Sequence, residues 1–208
     1  MNVNIITPPT SEPVTLDEAK SHLRVEVPDD DLLIGALIMA AREEVERRTW
    51  HSLMTQTLEV VYDFWPLKRY IELPRPPLQS VTSVIYRDAN NTPTTWDAGD
   101  YLVAADQIPG KVVPQWGKHW PSLTLAPVSG ITIRFVAGWS NAANVPKLLK
   151  QAMLLLIGLW YENREEGSAA RAWRELPFGV DAILSSFRKR AYITDPGATT
   201  DPSMRWFV

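Results

Sequence analysis

The sequence predicts an α+β protein: a helical bundle formed by the N- and C-terminal helices, with a small antiparallel β module inserted between them. Three observations predict it. Apolar residues recur at helical spacing over residues 16–49 and again over 146–190. Between these blocks the period shortens to β-branched and aromatic runs punctuated by prolines. Both helical blocks carry apolar faces wider than a surface helix needs, so they are expected to share one core. The expected boundaries are 1–56 and 141–190 for the helical core, 57–140 for the β module and 191–208 for a C-terminal docking tail.

Residues 1–12 read as an extended arm, because Pro8, Pro9 and Pro13 fix φ and remove donors, so no helix starts before Pro13. Thr15 stands three residues before Glu18, the spacing of a capping box, and opens a short helix over about 16–25 with Leu16, Ala19 and Leu23 in phase. Pro28 followed by Asp29, Asp30 and Asp31 is a stop and then a start, with an aspartate placed to accept backbone N–H bonds and favour the helix dipole. The helix expected over 31–49 bears two adjoining stripes. One is Leu33, Ala36, Leu37 and Ala40; the other is Ile34, Ile38, Ala41 and Val45.

Residues 58–64, 70–73, 81–86 and 131–136 read as strands, 101–103 and 111–113 as weaker ones, and 88–91 as a turn. Five to seven short strands suit a small sandwich or a curled sheet. Pro146 opens the longest helix, with Leu149, Ala152, Met153, Leu156, Leu159 and Trp160 on one stripe. Leu148, Leu155 and Ile157 widen that stripe nearly all round, which points to burial. A final helix is expected over 177–190, with Val180, Ile183, Leu184 and Phe187 on one side and Arg188, Lys189 and Arg190 complementing its C-terminal dipole. The tail from 194 is polar and proline-bearing but ends on Met204, Trp206, Phe207 and Val208, an apolar plug that is costly to leave in water.

Composition narrows the function. The chain has no cysteine, which excludes disulfides and thiolate metal sites. The net charge of -3 gives no basic excess of the kind nucleic-acid binders show. No targeting segment is visible, and the longest apolar run, 152–161, is about half the roughly 20 residues a bilayer span needs, so a soluble protein is expected. Charge is uneven, with a net of -5 over 1–56, 0 over 57–145 and +2 over 146–208. An acidic front and a basic back could serve head-to-tail contact between copies, but charge alone favours the plainer reading of two solvated faces.

No catalytic, cofactor or metal site is expected. Asp29, Asp30 and Asp31 are explained by helix capping better than by a divalent cation. His22, His51 and His119 lack zinc-site spacing, and no glycine-rich phosphate motif is present. Glu43 with Arg47 and Glu44 with Arg48 read as ordinary helix pairs four residues apart. Trp96, Trp116, Trp120 and Trp139, four of nine tryptophans, are expected to be core residues first, a protein interface second and a sugar platform third. Partner binding, to a neighbouring subunit or another protein, is assigned to Phe187, Arg188, Lys189, Arg190, Met204, Trp206 and Phe207.

Several phrases carry a resemblance. Residues 12–25 (EPVTLDEAKSHLRV) and 29–42 (DDDLLIGALIMAAR) resemble the start of the head–tail connector, or adaptor, proteins of tailed bacteriophages. Residues 71–84 (IELPRPPLQSVTSV) are similar to a phrase of the larger members, which have a β insertion. Residues 145–165 (VPKLLKQAMLLLIGLWYENRE) resemble their long third helix, and 176–188 (LPFGVDAILSSFR) their closing segment. The resemblance covers residues 12–190 in family order and leaves the tail outside. It implies a non-enzymatic ring, typically of twelve subunits, seated beneath the portal protein in the virion and assembled in the host cytoplasm. DNA passes through such a lumen without sequence-specific binding, and a tail-side connector or stopper protein attaches below. An acidic first block suits a wall that repels phosphate. The other readings are a phage tail or baseplate component whose β module binds a protein or glycan, and a glycosidase with paired carboxylates.

Overall fold

The computed structural model describes residues 2–163 and 178–188. Among the described residues, twelve strands and α-helices follow one another, besides two short 3-10 turns: β1 (Asn2–Thr7), α1 (Leu16–Leu23), α2 (Asp31–Thr49), β2 (Gln56–Tyr62), β3 (Ile71–Glu72), β4 (Leu78–Arg87), β5 (Pro93–Thr95), β6 (Tyr101–Ala104), β7 (Lys111–Pro114), β8 (Ile131–Ala137), α3 (Lys147–Glu162) and α4 (Phe178–Phe187). The α+β class expected from the sequence holds. No described helix is long and apolar enough to cross a membrane.

Two hydrophobic cores divide the molecule. The helical core joins both ends of the chain: Ile34, Ile38, Ala41 and Val45 of α2 meet Leu149, Met153, Leu156 and Ile157 of α3, with Ala19 of α1 and Val180 and Leu184 of α4 closing the sides. The β core gathers Leu58 and Val60 of β2, Val84 of β4, Val112 of β7 and Ile131, Ile133 and Phe135 of β8. Alternation along β8 is clean, with Ile131, Ile133, Phe135 and Ala137 all buried, as one inward face of a pleated strand requires.

The strands form two antiparallel sheets, one in the order β1-β2-β8-β4-β5 and one in the order β3-β7-β6. The expected strands are present, and two more appear. The proline-rich arm is ordered over residues 2–7 as edge strand β1, paired with β2 from Asn2 opposite Val61 to Thr7 opposite Thr57. Strand β5 follows the expected turn, where the Asp88 carboxylate accepts the backbone N–H groups of Asn90 and Thr92.

The helix caps divide. Thr15 caps α1 as its spacing predicts: its hydroxyl accepts the Glu18 N–H and the Glu18 carboxylate accepts the Thr15 N–H at 2.8 Å. The aspartates before α2 behave otherwise. Asp30 occupies the cap position without a side-chain cap bond and instead accepts the Tyr161 hydroxyl of α3, while Asp31 pairs with Lys20 of α1 at 2.6 Å. Capping was the local solution; ties to neighbouring helices are the tertiary one. Pro146 sits at the cap of α3 rather than inside it. The expected Glu43–Arg47 pair is replaced by Glu44, which holds Arg47 and Arg48 together, while Glu43 reaches Arg42 at 3.5 Å.

The two cores are bolted together by a polar junction. Glu46, buried on α2, accepts the Leu53 N–H at 2.7 Å, the Gln56 amide at 3.1 Å and an Arg42 N–H at 3.2 Å. Arg42, also buried, donates its Nε to the Glu12 carboxylate at 2.9 Å. Gly138, at the end of β8, takes φ +105, and a Cβ there would lie 2.0 Å from the Met54 carbonyl oxygen. Its N–H donates to the Pro77 carbonyl at 2.8 Å. His51 stacks on Trp139 in the same seam, with its Nδ1 2.9 Å from the Thr49 carbonyl.

Candidate assembly interface

The two apolar stripes of α2 part company. The stripe of Ile34, Ile38, Ala41 and Val45 is buried on α3; of the other stripe, Leu37 and Ala40 are half-buried against the same core while Leu33 and Ala36 are exposed. Leu32 is 92% exposed and Met39 49%, with Leu33 and Ala36 exposed between them. On α3 the expectation of burial nearly all round fails for Leu148, 54% exposed, and for Leu155, whereas Ile157 is buried. Three neighbouring helices cover only part of the α3 circumference. Leucine and methionine left in water on α2 and α3 are apolar surface that a partner can cover.

The far end of α2 presents basic character. Arg47, Arg48, Trp50 and Arg188 line an open recess of about 340 Å³. Arg47 and Arg48 share the Glu44 carboxylate, and Arg48 also approaches Asp181 of α4 at 3.6 Å. The two arginines and their hydrogen bonds hold the Glu44 carboxyl below the usual range despite its partial burial. Arg75 lies over the Trp50 ring, 5.1 Å from its centre, and donates to the Glu46 carbonyl.

Of the assigned partner-binding residues, two fall in the described part. Phe187 is half-buried against the helical core, so it holds α4 in place. Arg188 is exposed, donates its Nε to the Arg48 carbonyl at 3.3 Å and belongs to the basic recess. Lys189, Arg190, Met204, Trp206 and Phe207 lie outside the described residues. Sequence reasoning missed Arg47, Arg48 and Trp50 as companions of Arg188, because nothing local signals that the ends of α2 and α4 meet.

The tryptophans resolve individually. Trp96 is buried, and Trp65, Trp96 and Trp120 pack as one group, Trp65 stacked on Trp120 at 5.0 Å between ring centres. Trp120 donates its indole N–H to the Lys68 carbonyl at 3.0 Å. Trp139 stacks on His51, and Trp116 alone of the four named from sequence stands free, 93% exposed.

A second recess is lined by His22, Leu23, Arg24, Gly158, Tyr161 and Glu162, so neither recess offers facing carboxylates. Among the described residues, no group of three or more His, Asp or Glu is placed to hold a metal ion.

Residues 13–109 match the family of phage gp6-like head–tail connector proteins. No curated protein matches the chain with significance. Among solved structures, the chain is similar to one in the neck of an empty gene transfer agent particle computed with C6 symmetry, at 25% identity, with 91% of this chain and 96% of that chain covered and a TM-score of 0.72. It is equally similar to one in the neck of the native particle computed with C12 symmetry, at 25% identity over 91% and 96% with a TM-score of 0.72. A chain of the native gene transfer agent virion matches in fold at 23% identity, over 94% of this chain and all of that one, with a TM-score of 0.75. The resemblance read from the phrases at 12–25, 29–42 and 71–84 therefore holds over the matched residues, and the family match and the similar neck chains together support a structural connector role.

Proposed function

We propose that this protein forms a closed ring, of twelve copies, beneath the portal in the neck of a phage-like virion, where it extends the DNA channel and offers the attachment site for a tail-side connector or stopper protein. The uncovered apolar face of α2 and α3 carries this reading: Leu32, Met39, Leu148 and Leu155 are satisfied when neighbouring copies cover them. The symmetric necks in which similar chains occur support a ring, and the C12 neck supports the number. The role is mechanical rather than enzymatic, in keeping with the connector family.

The portal contact falls to the C-terminal end. Arg188, Lys189 and Arg190 supply charge, and Met204, Trp206 and Phe207 supply an apolar plug on a polar tether. Electron microscopy of the protein mixed with portal-bearing particles tests both parts. An annulus on the portal's narrow end supports the ring, and wild-type chains that stay dispersed overturn it. Deletion of residues 195–208 should abolish attachment while leaving the subunit folded, and unchanged attachment removes the tail from the reading.

A baseplate role with a glycan-binding β module keeps one observation, the exposed Trp116. The remaining aromatics of a sugar platform are packed among themselves.

A further inference from the structure

The ends of α2 are opposite in character, and each combines charge with exposed apolar surface. At its start, residues 26–32, the loop before α2 and the helix's first two residues, expose Val27 and Leu32 beside Glu26 and Asp29, and neither of these two carboxylates has a partner among the described residues. At its finish, Trp50 is 40% exposed beside Arg47, Arg48 and Arg188. Arg188 has no carboxylate partner among the described residues, and Lys189 and Arg190 follow it in sequence. A helix of 19 residues separates the two ends by about 27 Å, at about 1.5 Å per residue, too far for the loop to reach the recess of its own chain.

We propose that the segment 26–32 of one copy, the loop with the first two residues of α2, docks into the Arg47, Trp50 and Arg188 recess of the next. Glu26 and Asp29 meet the guanidiniums, and Val27 and Leu32 cover the Trp50 ring. The inference rests on the ring reading above and adds the contact that sets its direction. The recess is basic and opposes its own image, so a two-fold pairing of recess with recess would place like charges together. Recess with loop joins two different patches of the same chain, a heterologous contact, and such contacts propagate head to tail until a ring closes. The helix α2 then runs from one neighbour toward the other.

Paired charge reversals test it in the full chain, assembled on portal-bearing particles and read by electron microscopy and sedimentation. The four positions are exposed, and thermal melts check that each variant folds. E26K/D29K has two basic patches and R47E/R188E two acidic ones. Each alone should need at least about tenfold more protein to assemble at low salt, the scale of opposed like charges at an interface. An equimolar mixture should recover wild-type assembly, because alternating copies restore opposite charge at every contact. The milder R47Q/R188Q should weaken assembly and flatten its salt dependence.

Variants that assemble as the wild type does overturn the proposal and leave the ring intact. Folded variants that fail alone and also fail when mixed overturn it as well, since both faces then matter without meeting each other. Failure of the wild-type chain to form rings removes the reading on which it rests.

Discussion

Leu53 donates its backbone N–H to the buried Glu46 carboxylate across 2.7 Å, tying the chain that leaves α2 back onto the helix four turns of sequence after its start. The same carboxylate holds Gln56, the first residue of β2, so one side chain serves both cores.

Replacing Glu46 with leucine should therefore cost about 3 kcal/mol, since it strands the Leu53 N–H, the Gln56 amide and one side of Arg42 in a buried site. Urea denaturation of the purified subunit measures this. A loss below about 0.5 kcal/mol, the usual range for surface changes, would mean that the junction is not closed in solution.

The junction also has an unusual pH signature. Burial pushes the Glu46 carboxyl above its ordinary range against the Leu53 N–H and Arg42, and burial does the same to Glu12 against Arg42. A carboxyl raised in the folded state contributes stability that is complete below its unfolded pKa and is lost as pH rises through its folded one. Glu18 is the opposite case: its bond from the Thr15 N–H lowers its pKa, so its contribution is present at neutral pH and lost on acidification through the folded pKa. On going from pH 7 to pH 5, wild type should gain stability relative to Glu46→Gln and Glu12→Gln. Parallel pH profiles for the three proteins would refute the assignment.

Gly138→Ala should destabilise by at least ~2 kcal/mol, because φ +105 is unfavourable for an L side chain and the added methyl meets the Met54 carbonyl. A thermal melt checks it. Gly35→Ala is the control: its Cβ would meet open space, and it should be neutral or mildly stabilising.

Leu32→Ser and Met39→Ser should leave the unfolding free energy of the isolated subunit within about 0.5 kcal/mol of wild type, as exposed positions do. Their effect belongs to assembly, where ring yield on portal-bearing particles should fall. Normal yield with both changes combined would detach this face from the ring.

The helices were legible because their signals are local. The capping box at Thr15 and the period of Ile34, Ile38, Ala41 and Val45 each lie within a few residues and appear as expected, whereas α1 ends at Leu23 on a left-handed Arg24, before Pro28 is reached. Strand β1 was hidden because prolines 8, 9 and 13 dominate its neighbourhood and its partner lies some 55 residues away. The aspartates at 30 and 31 were misassigned for a related reason: capping is the best local use of an aspartate, and Tyr161 and Lys20 offered better distant ones. The recess of Arg47, Arg48, Trp50 and Arg188 was out of reach altogether, since it exists only once α4 lies across the end of α2.

Strand β1 precedes α1, and strand β2, its neighbour in the sheet, follows α2. The first two helices are thus a loop whose two ends are sewn together by paired backbone, leaving no pivot about which they swing away from the sheets.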